Sequence, residues 1–316
     1  MRVGLIVDSA CDLPYDFARK HDLFVLPVTA IIDGQTYTDE HCPVRTQEFY
    51  QSGLLDKGHE AETKAYTAEQ IHDLFMEKIV TEFDVAICET VTRSRSLIFQ
   101  NATEAMNSVM AHYEGARKAA GQDGKFSMRV IDSKQIFAGQ GLLAAHTLKL
   151  IEQKLSKNAL RHEVETFTDR IYTCVIPRDL HYIRERARRR GDKSVSAFAA
   201  FLGRALNIVP VIFGQGAEGK PVVKTRDFDM AVEKVMNYAV ARVEAGLLTP
   251  YVSLSCGLTW TEIEDLPGLN RLRDACENNG VELLLSQMGI TSAIYVGPGS
   301  ICLALAAEPH TFNDFQ

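Results

Sequence analysis

Arg2-Val3-Gly4-Leu5-Ile6-Val7-Asp8-Ser9-Ala10-Cys11-Asp12-Leu13-Pro14 is the stretch on which the fold turns. An apolar run of strand length ends abruptly in Asp8-Ser9, and a polar turn leads into Leu13, Pro14 and a helix-like segment. A buried parallel strand hands over to a crossover helix in this way. The turn at such a strand's carboxyl end is where open α/β sheets place their ligand sites. By chemistry alone, Asp8, Ser9 and Asp12 also suit plain helix capping, since Ser and Asp cap helices in any fold.

Outward from this turn, the chain alternates strands and helices. Tyr15 to His21 reads as a short helix and Leu23 to Val28 as the next strand. Ala30-Ile31-Ile32, Asp33-Gly34 and Gln35-Thr36-Tyr37 form a hairpin signal, because Asp-Gly supplies the positive φ of a tight turn. Thr46 to Gly53 predicts a helix closed by its glycine, and Leu55 to Glu62 a polar loop. Thr67 is placed to cap a helix with an apolar stripe at Ile71, Leu74, Phe75 and Ile79. Phe83 to Cys88 reads as a buried strand that runs into a hydroxyl-rich turn, Thr90 to Ser96, and a helix extending to about Glu114. Met128 to Ile131 is another strand, ending again in Asp132-Ser133, and Gly139 to Lys157 a long helix. Such alternation predicts a parallel sheet with right-handed crossovers.

Near residue 165 the rhythm changes. Ile171 to Ile176 reads as a strand, His181 to Arg190 as a basic helix and Ala197 to Ala205 as a small-residue apolar helix. Ile208 to Phe213 and Gly219 to Lys224 pair as a hairpin, and Phe228 to Glu244 is an amphipathic helix. Val252 to Cys256, Val281 to Ser286, Ser292 to Val296 and Ile301 to Ala306 read as strands around a helix from Gly268 to Asn278. The expectation is an α/β protein of two domains: a Rossmann-like parallel domain over 1–165 and an α+β domain over 166–316.

Composition narrows the function. The 316 residues are 46% hydrophobic and 24% charged, enough to bury a core, and the net charge of −7 argues against nucleic acid as the main partner. No apolar run approaches the roughly 20 residues that a spanning helix needs, so no stable membrane insertion is expected. The amino terminus passes straight into a strand without a cleavable leader, which reads as cytoplasmic. The seven cysteines are scattered, without a CxxC pair, and support neither a disulfide framework nor a zinc site. Cys88, Cys174, Cys256 and Cys302 lie in apolar runs where a thiol is a small hydrophobe.

Several motifs suggest chemistry and fail on context. Gly214-Gln215-Gly216-Ala217-Glu218-Gly219-Lys220 fits a phosphate-cradling loop up to position eight, which is Pro221 where Ser or Thr must stand. It reads as a hairpin loop. Gly139-Gln140-Gly141 fits the loose dinucleotide pattern, but Ser133 to Ala138 separate it from the strand, so a helix packed through small residues is expected instead. The histidines show no metal-ligand spacing, and His146 reads as a core histidine. Arg184, Arg186, Arg188, Arg189, Arg190 and Lys193 form a basic cluster, read first as a solvated helix face and second as a docking patch for an acidic partner or membrane surface.

Five pieces in order resemble the DegV family, bacterial proteins that bind long-chain fatty acids. They are Asp8-Ser9-Ala10-Cys11-Asp12-Leu13-Pro14, Ile31 to Asp39, Val130-Ile131-Asp132-Ser133-Lys134 with Gly139 to Leu143, Leu206 to Pro210, and Gly297-Pro298-Gly299. The resemblance implies two domains with a lipid in the cleft between them. It also implies a carboxylate held by a Thr and a Ser, which by order fall on Thr63 and Ser96. Lys64-Ala65-Tyr66 and Arg95-Ser96-Leu97 depart from the family pattern around them, and Tyr295 stands where many members have a histidine. Asp8, Ser9, Thr92, Asn207 and Gly297 are further candidates from the same turns and motifs. Members present the bound acid to a separate ATP-dependent fatty acid kinase, so the resemblance implies such a partner and no cofactor beyond the lipid.

The chemistry suits an acyl ligand. Burying a palmitate-like tail releases about 0.8 kcal/mol per CH₂, roughly 12 kcal/mol gross before ordering costs. Hydroxyl bonds to the carboxylate add about 1.5–3 kcal/mol each. Tail burial therefore sets affinity and the hydroxyls set orientation. The competing expectation is a phosphate- or nucleotide-dependent transferase using the Asp8, Asp132 and Arg93 turns as a polar site.

Overall fold

The computed structural model describes residues 2–189 and 208–315, apart from positions 57, 123, 216 and 217. The opening stretch forms strand β1 (Val3–Asp8), buried from Gly4 onward. Helix α1 (Tyr15–Lys20) follows, with Pro14 as its N-cap residue and Arg19 and Lys20 in its last turn. β1 pairs in parallel with β2 (Phe24–Leu26) on one side and β6 (Val85–Thr90) on the other, and β6 pairs in parallel with β7 (Ser127–Asp132). The order β2-β1-β6-β7 puts a reversal of winding between β1 and β6.

The expected strand from Leu23 to Val28 is divided. Pro27 offers no N–H to a ladder, and beyond it the chain leaves the parallel sheet as β3 (Val28–Ile32). β3 lies antiparallel between β4 (Gln35–Asp39) and β5 (Ala61–Ala65) in a separate three-stranded sheet. The Asp33-Gly34 turn has the positive φ values expected of it, 49° and 78°. β5 replaces the end of the predicted Leu55 to Glu62 loop. Ala-Glu-Thr-Lys-Ala has little strand propensity, and pairing with β3 supplies what the sequence lacks.

Helix α2 (Pro43–Ser52) starts earlier than expected and ends at Gly53 in the left-handed region. Helix α3 (Ala68–Leu74) is closed at its start by a Thr67–Gln70 capping box and continues as a π-turn over Phe75–Ile79. Helix α4 (Ile98–Ala119) covers the same face of the parallel sheet. The long helix is two helices. α5 (Ala138–Glu152) stops before Lys154 at φ 55°, and α6 (Lys157–Phe167) begins anew under a Ser156 cap.

The carboxyl-terminal half contains β8 (Ile171–Ile176), helix α7 (Leu180–Arg189), the hairpin β9 (Val209–Gln215) and β10 (Glu218–Thr225), and α8 (Phe228–Ala245). β11 (Tyr251–Cys256), α9 (Trp260–Glu264), α10 (Leu269–Asn278), β12 (Glu282–Gln287), α11 (Ile290–Val296) and β13 (Ile301–Ala306) complete it. The six strands run β10-β9-β8-β13-β11-β12, antiparallel except for β11 with β12. The glycine-rich P-loop look-alike is the β9–β10 hairpin, Gly219 opposite Gly214. Ser292 to Val296, read as a strand, is helical: a short buried run of Ile, Ala, Tyr and Val has no period that separates the two. The expected helix over Ala197 to Ala205 lies outside the described residues.

Helix α5 joins the two halves. It is buried on nearly every side, the mark of an internal helix. One face packs on β1 and β6, and the other on β8, β11 and β13. Small residues allow this, as expected of the Gly139-Gln140-Gly141 run. A Cβ on Gly141 would lie 2.2 Å from the Asp12 carbonyl oxygen, and one on Gly139 would lie 2.7 Å from the Thr173 methyl. His146 on the same helix stacks on Phe167, and burial pushes its imidazole down to about 4, a core histidine as expected.

Candidate functional site

A cavity of about 460 Å³ opens at the carboxyl ends of β1 and β6, where the winding of the parallel sheet reverses. Open α/β sheets place ligands at such a switch point, and the volume falls in the usual range for small-molecule sites. Asp8 and Ala10 reach it from the turn after β1, and Val91 from the turn after β6. Thr63, Lys64 and Ala65 come from β5; Arg95, Ser96 and Leu97 precede α4, and Asn101 lies within it; Thr291 and Tyr295 come from α11.

Each contributor is tied down by backbone or side-chain bonds. Ala30 opposite Thr63 fixes the register of β5, and alternation turns Ala61, Thr63 and Ala65 to the sheltered side; Glu62 and Lys64 are exposed, and Lys64 still contributes to the cavity lining. Arg186 on α7 donates to the carbonyls of Ala61 and His59, anchoring the start of β5 to the other half of the chain. Asn101 on α4 donates to the Tyr66 carbonyl at 2.6 Å, anchoring its end. Arg186 is thus a buried structural arginine rather than part of a solvated basic face. Arg190 and Lys193 of the basic cluster lie outside the described residues.

Ser96, one residue before the α4 N-cap Leu97, accepts the N–H of Ile98 through its Oγ at 3.2 Å and lines the cavity at once. Thr63 lies in mid-strand and caps nothing. Phe137 forms part of the wall at φ 48°, a rare conformation for a bulky residue, and meets the Tyr295 ring edge-on at 5.7 Å. Ala10, Val28, Ala65, Val91, Ile136 and Phe137 give the cavity apolar walls, while hydroxyls and the cations Lys64 and Arg95 mark its polar side. Such a division suits an amphiphile with an anionic head.

The remaining sequence candidates have other work. Asp8 lines the cavity, but its carboxylate already accepts the N–H groups of Ala10 at 2.9 Å and Val91 at 2.6 Å. Burial pushes it up to about 6 against the pull of those bonds. Ser9 is fully buried, donates to the Asp39 carbonyl and accepts from Val28 N–H, and so is a structural hydroxyl. Thr92 bonds to Ser94 outside the cavity lining. Gly297 ends α11 at φ 94° against the Tyr182 ring. Asn207 lies outside the described residues. Asp132 and Arg93 pair with each other at 3.2 Å and do not join Asp8 in the cavity, so the three turns expected to build a transferase site do not converge.

Sequence reasoning missed the groups that join the halves beside this cavity. Asp12 Oδ1 accepts Gly289 N–H and Ser292 Oγ, each at 3.0 Å, and its Oδ2 accepts Ser255 Oγ at 2.6 Å. Asp39 Oδ2 accepts Thr291 N–H at 2.7 Å. His41 Nε2 lies 2.6 Å from the Ser9 carbonyl oxygen; burial lowers its affinity for a proton, and Asp39, Asp12, the bond to Ser9 and Asp8 together more than reverse this. Asp12 was visible in the opening motif, but its partners lie more than 240 positions away. Thr291 sits in an apolar run and carries no sequence signal.

Comparison with known proteins agrees with this architecture. A DegV domain-containing protein of Xanthomonas axonopodis pv. citri is 40% identical over 313 residues, spanning 99% of this chain and 100% of the relative. One from Xanthomonas campestris pv. campestris matches at the same identity and coverage. Among solved structures, a stearic acid-binding protein from Eubacterium ventriosum superposes with a TM-score of 0.78 at 21% identity, covering 99% of each chain. The fatty acid binding protein DegV from Bacillus subtilis superposes at 0.74 and 17% identity, over 97% of this chain and 100% of that one. The family model described as "Uncharacterised protein, DegV family" matches residues 2–308. The chain therefore belongs to the DegV family.

Proposed function

We propose that this protein binds a long-chain fatty acid, with Thr63, Ser96 and Tyr295 at the carboxylate and the acyl tail against the Val28, Ile136 and Phe137 walls. One observation carries the reading: three polar residues far apart in the chain line the same cavity as an apolar wall, at the sheet's switch point. The fatty acids described for solved relatives, stearic acid in the Eubacterium ventriosum protein among them, support the ligand class. Two domains dividing near residue 165 would enclose the lipid between them.

The protein acts as a carrier and not as an enzyme. Ser96 accepts a backbone N–H rather than bonding to a base, which suits holding a head group. A carrier of this kind hands its lipid to another protein, and an ATP-dependent fatty acid kinase in the cytoplasm is the partner we propose. No cofactor is needed for that role.

Mass spectrometry of gently purified protein tests the reading. The expected result is a co-purified saturated or mono-unsaturated acid of palmitate to stearate length. A bound nucleotide, or turnover by protein free of lipid, overturns it.

A further inference from the structure

We propose that the side-chain hydroxyl of Thr291 is a head-group ligand, donating to the carboxylate from the carboxyl-terminal half of the chain opposite Thr63 and Ser96. The inference rests on the fatty-acid reading and adds a residue to it.

Thr291 is 7% exposed and lines the cavity. Its Oγ1 has no hydrogen-bond partner among the described residues. Thr291 is the second residue of its helix, so no helix carbonyl stands three or four residues before it to take the hydroxyl. Its neighbours show that the surroundings are rich in acceptors. The backbone N–H of Thr291 itself goes to Asp39, and the hydroxyl of Ser292 goes to Asp12. The Thr291 hydroxyl takes none of these acceptors, and its residue lines the cavity. Buried hydroxyls are rarely left unpaired, because the lost water bond is not replaced. An ionised carboxylate in the cavity is acceptor-only, with room for several donors, and supplies the missing partner.

The placement makes chemical sense. Thr291 and Tyr295 are four residues apart on α11 and share one face of the helix. Both line the cavity that β5 and the start of α4 close from the other half. A carboxylate bonded to Thr63 and Ser96 on one side and Thr291 on the other bridges the two halves. The Asp39 bond to Thr291 N–H holds the donor in place without using its hydroxyl.

The test is equilibrium binding of myristate, palmitate and stearate to delipidated wild type, Thr291→Val and Thr291→Ser. Valine keeps the shape and the backbone bond and removes only the hydroxyl. The expected result is a weakening in Thr291→Val of roughly tenfold to a hundredfold, the worth of one bond to a charged acceptor. The factor should be the same for all three acids, with Thr291→Ser near wild type. Unchanged affinity in Thr291→Val overturns the assignment. So does a loss that grows with chain length, which marks a tail contact. Wild-type protein that takes none of the acids overturns the fatty-acid reading itself, and the assignment with it.

Discussion

The carboxylate of Asp39 accepts the backbone N–H of Thr291 at 2.7 Å, a bond between residues 252 positions apart. Asp39 ends the second strand of the small sheet, and Thr291 lies in the first turn of α11. With Asp12, which accepts three further bonds from the carboxyl-terminal half, it holds α11 where Thr291 and Tyr295 line the cavity. Buried acids thus position the hydroxyls.

Replacing Asp12 with alanine leaves Ser255 Oγ, Ser292 Oγ and Gly289 N–H buried without their acceptor. Each unsatisfied group costs about 1–3 kcal/mol, so Asp12→Ala should lose at least about 3 kcal/mol in urea denaturation. Asp12→Asn, which keeps one acceptor oxygen, should lose less. Equal stability in Asp12→Ala and wild type would show that the three bonds contribute nothing net.

The double variant Thr63→Val, Ser96→Ala probes the head-group site. It should lower fatty-acid occupancy of purified protein severalfold while shifting Tm little, since neither hydroxyl bonds to the other half of the fold. Full occupancy in native mass spectra would mean that the carboxylate is held elsewhere.

Glu89 gives a pH dependence with a definite sign. It is fully buried beneath α5, donated to by Thr147 through one carboxyl oxygen, and burial pushes it up to about 8 from 4.5. Between those values the folded chain keeps a proton that the unfolded chain releases. Stability therefore falls as pH rises through that window, by up to about 1.4 kcal/mol per pH unit. Asp8 and Asp12, raised to about 6, add the same sign at lower pH, and raised His41 adds it near neutrality. Glu89→Gln should flatten the fall between about pH 6 and pH 8 by roughly 1 kcal/mol per unit. Denaturation midpoints at the two pH values measure it; parallel slopes in both proteins would rule out a protonated Glu89.

Two glycines in helices should respond in opposite directions to alanine. Gly141 has no room, with the Asp12 carbonyl oxygen 2.2 Å from its would-be Cβ. Gly115 in α4 has nothing within 4 Å. Gly115→Ala should gain about 0.5–1 kcal/mol from helix propensity alone. Gly141→Ala should lose more than about 2 kcal/mol through forced displacement of α5 from β1. Similar midpoints for the two would contradict the close approach of α5.

The amino-acid sequence by itself determined the parallel sheet, the Asp33-Gly34 hairpin, the part-buried structural histidine on α5 and the P-loop look-alike as a hairpin. These are local facts: apolar runs of strand length, a turn dipeptide, a proline where a magnesium ligand must stand. It also ordered Thr63, Ser96 and Tyr295 along the chain. Only the tertiary structure decided that Ala61–Ala65 is a strand, that Ser292 to Val296 is helical, and that Ser9 is structural while Thr291 faces the cavity. The physical reason is range. A weak strand former gains its hydrogen bonds from a partner strand, a short apolar run takes whichever shape its neighbours bury, and a hydroxyl's role depends on acceptors that lie hundreds of residues away.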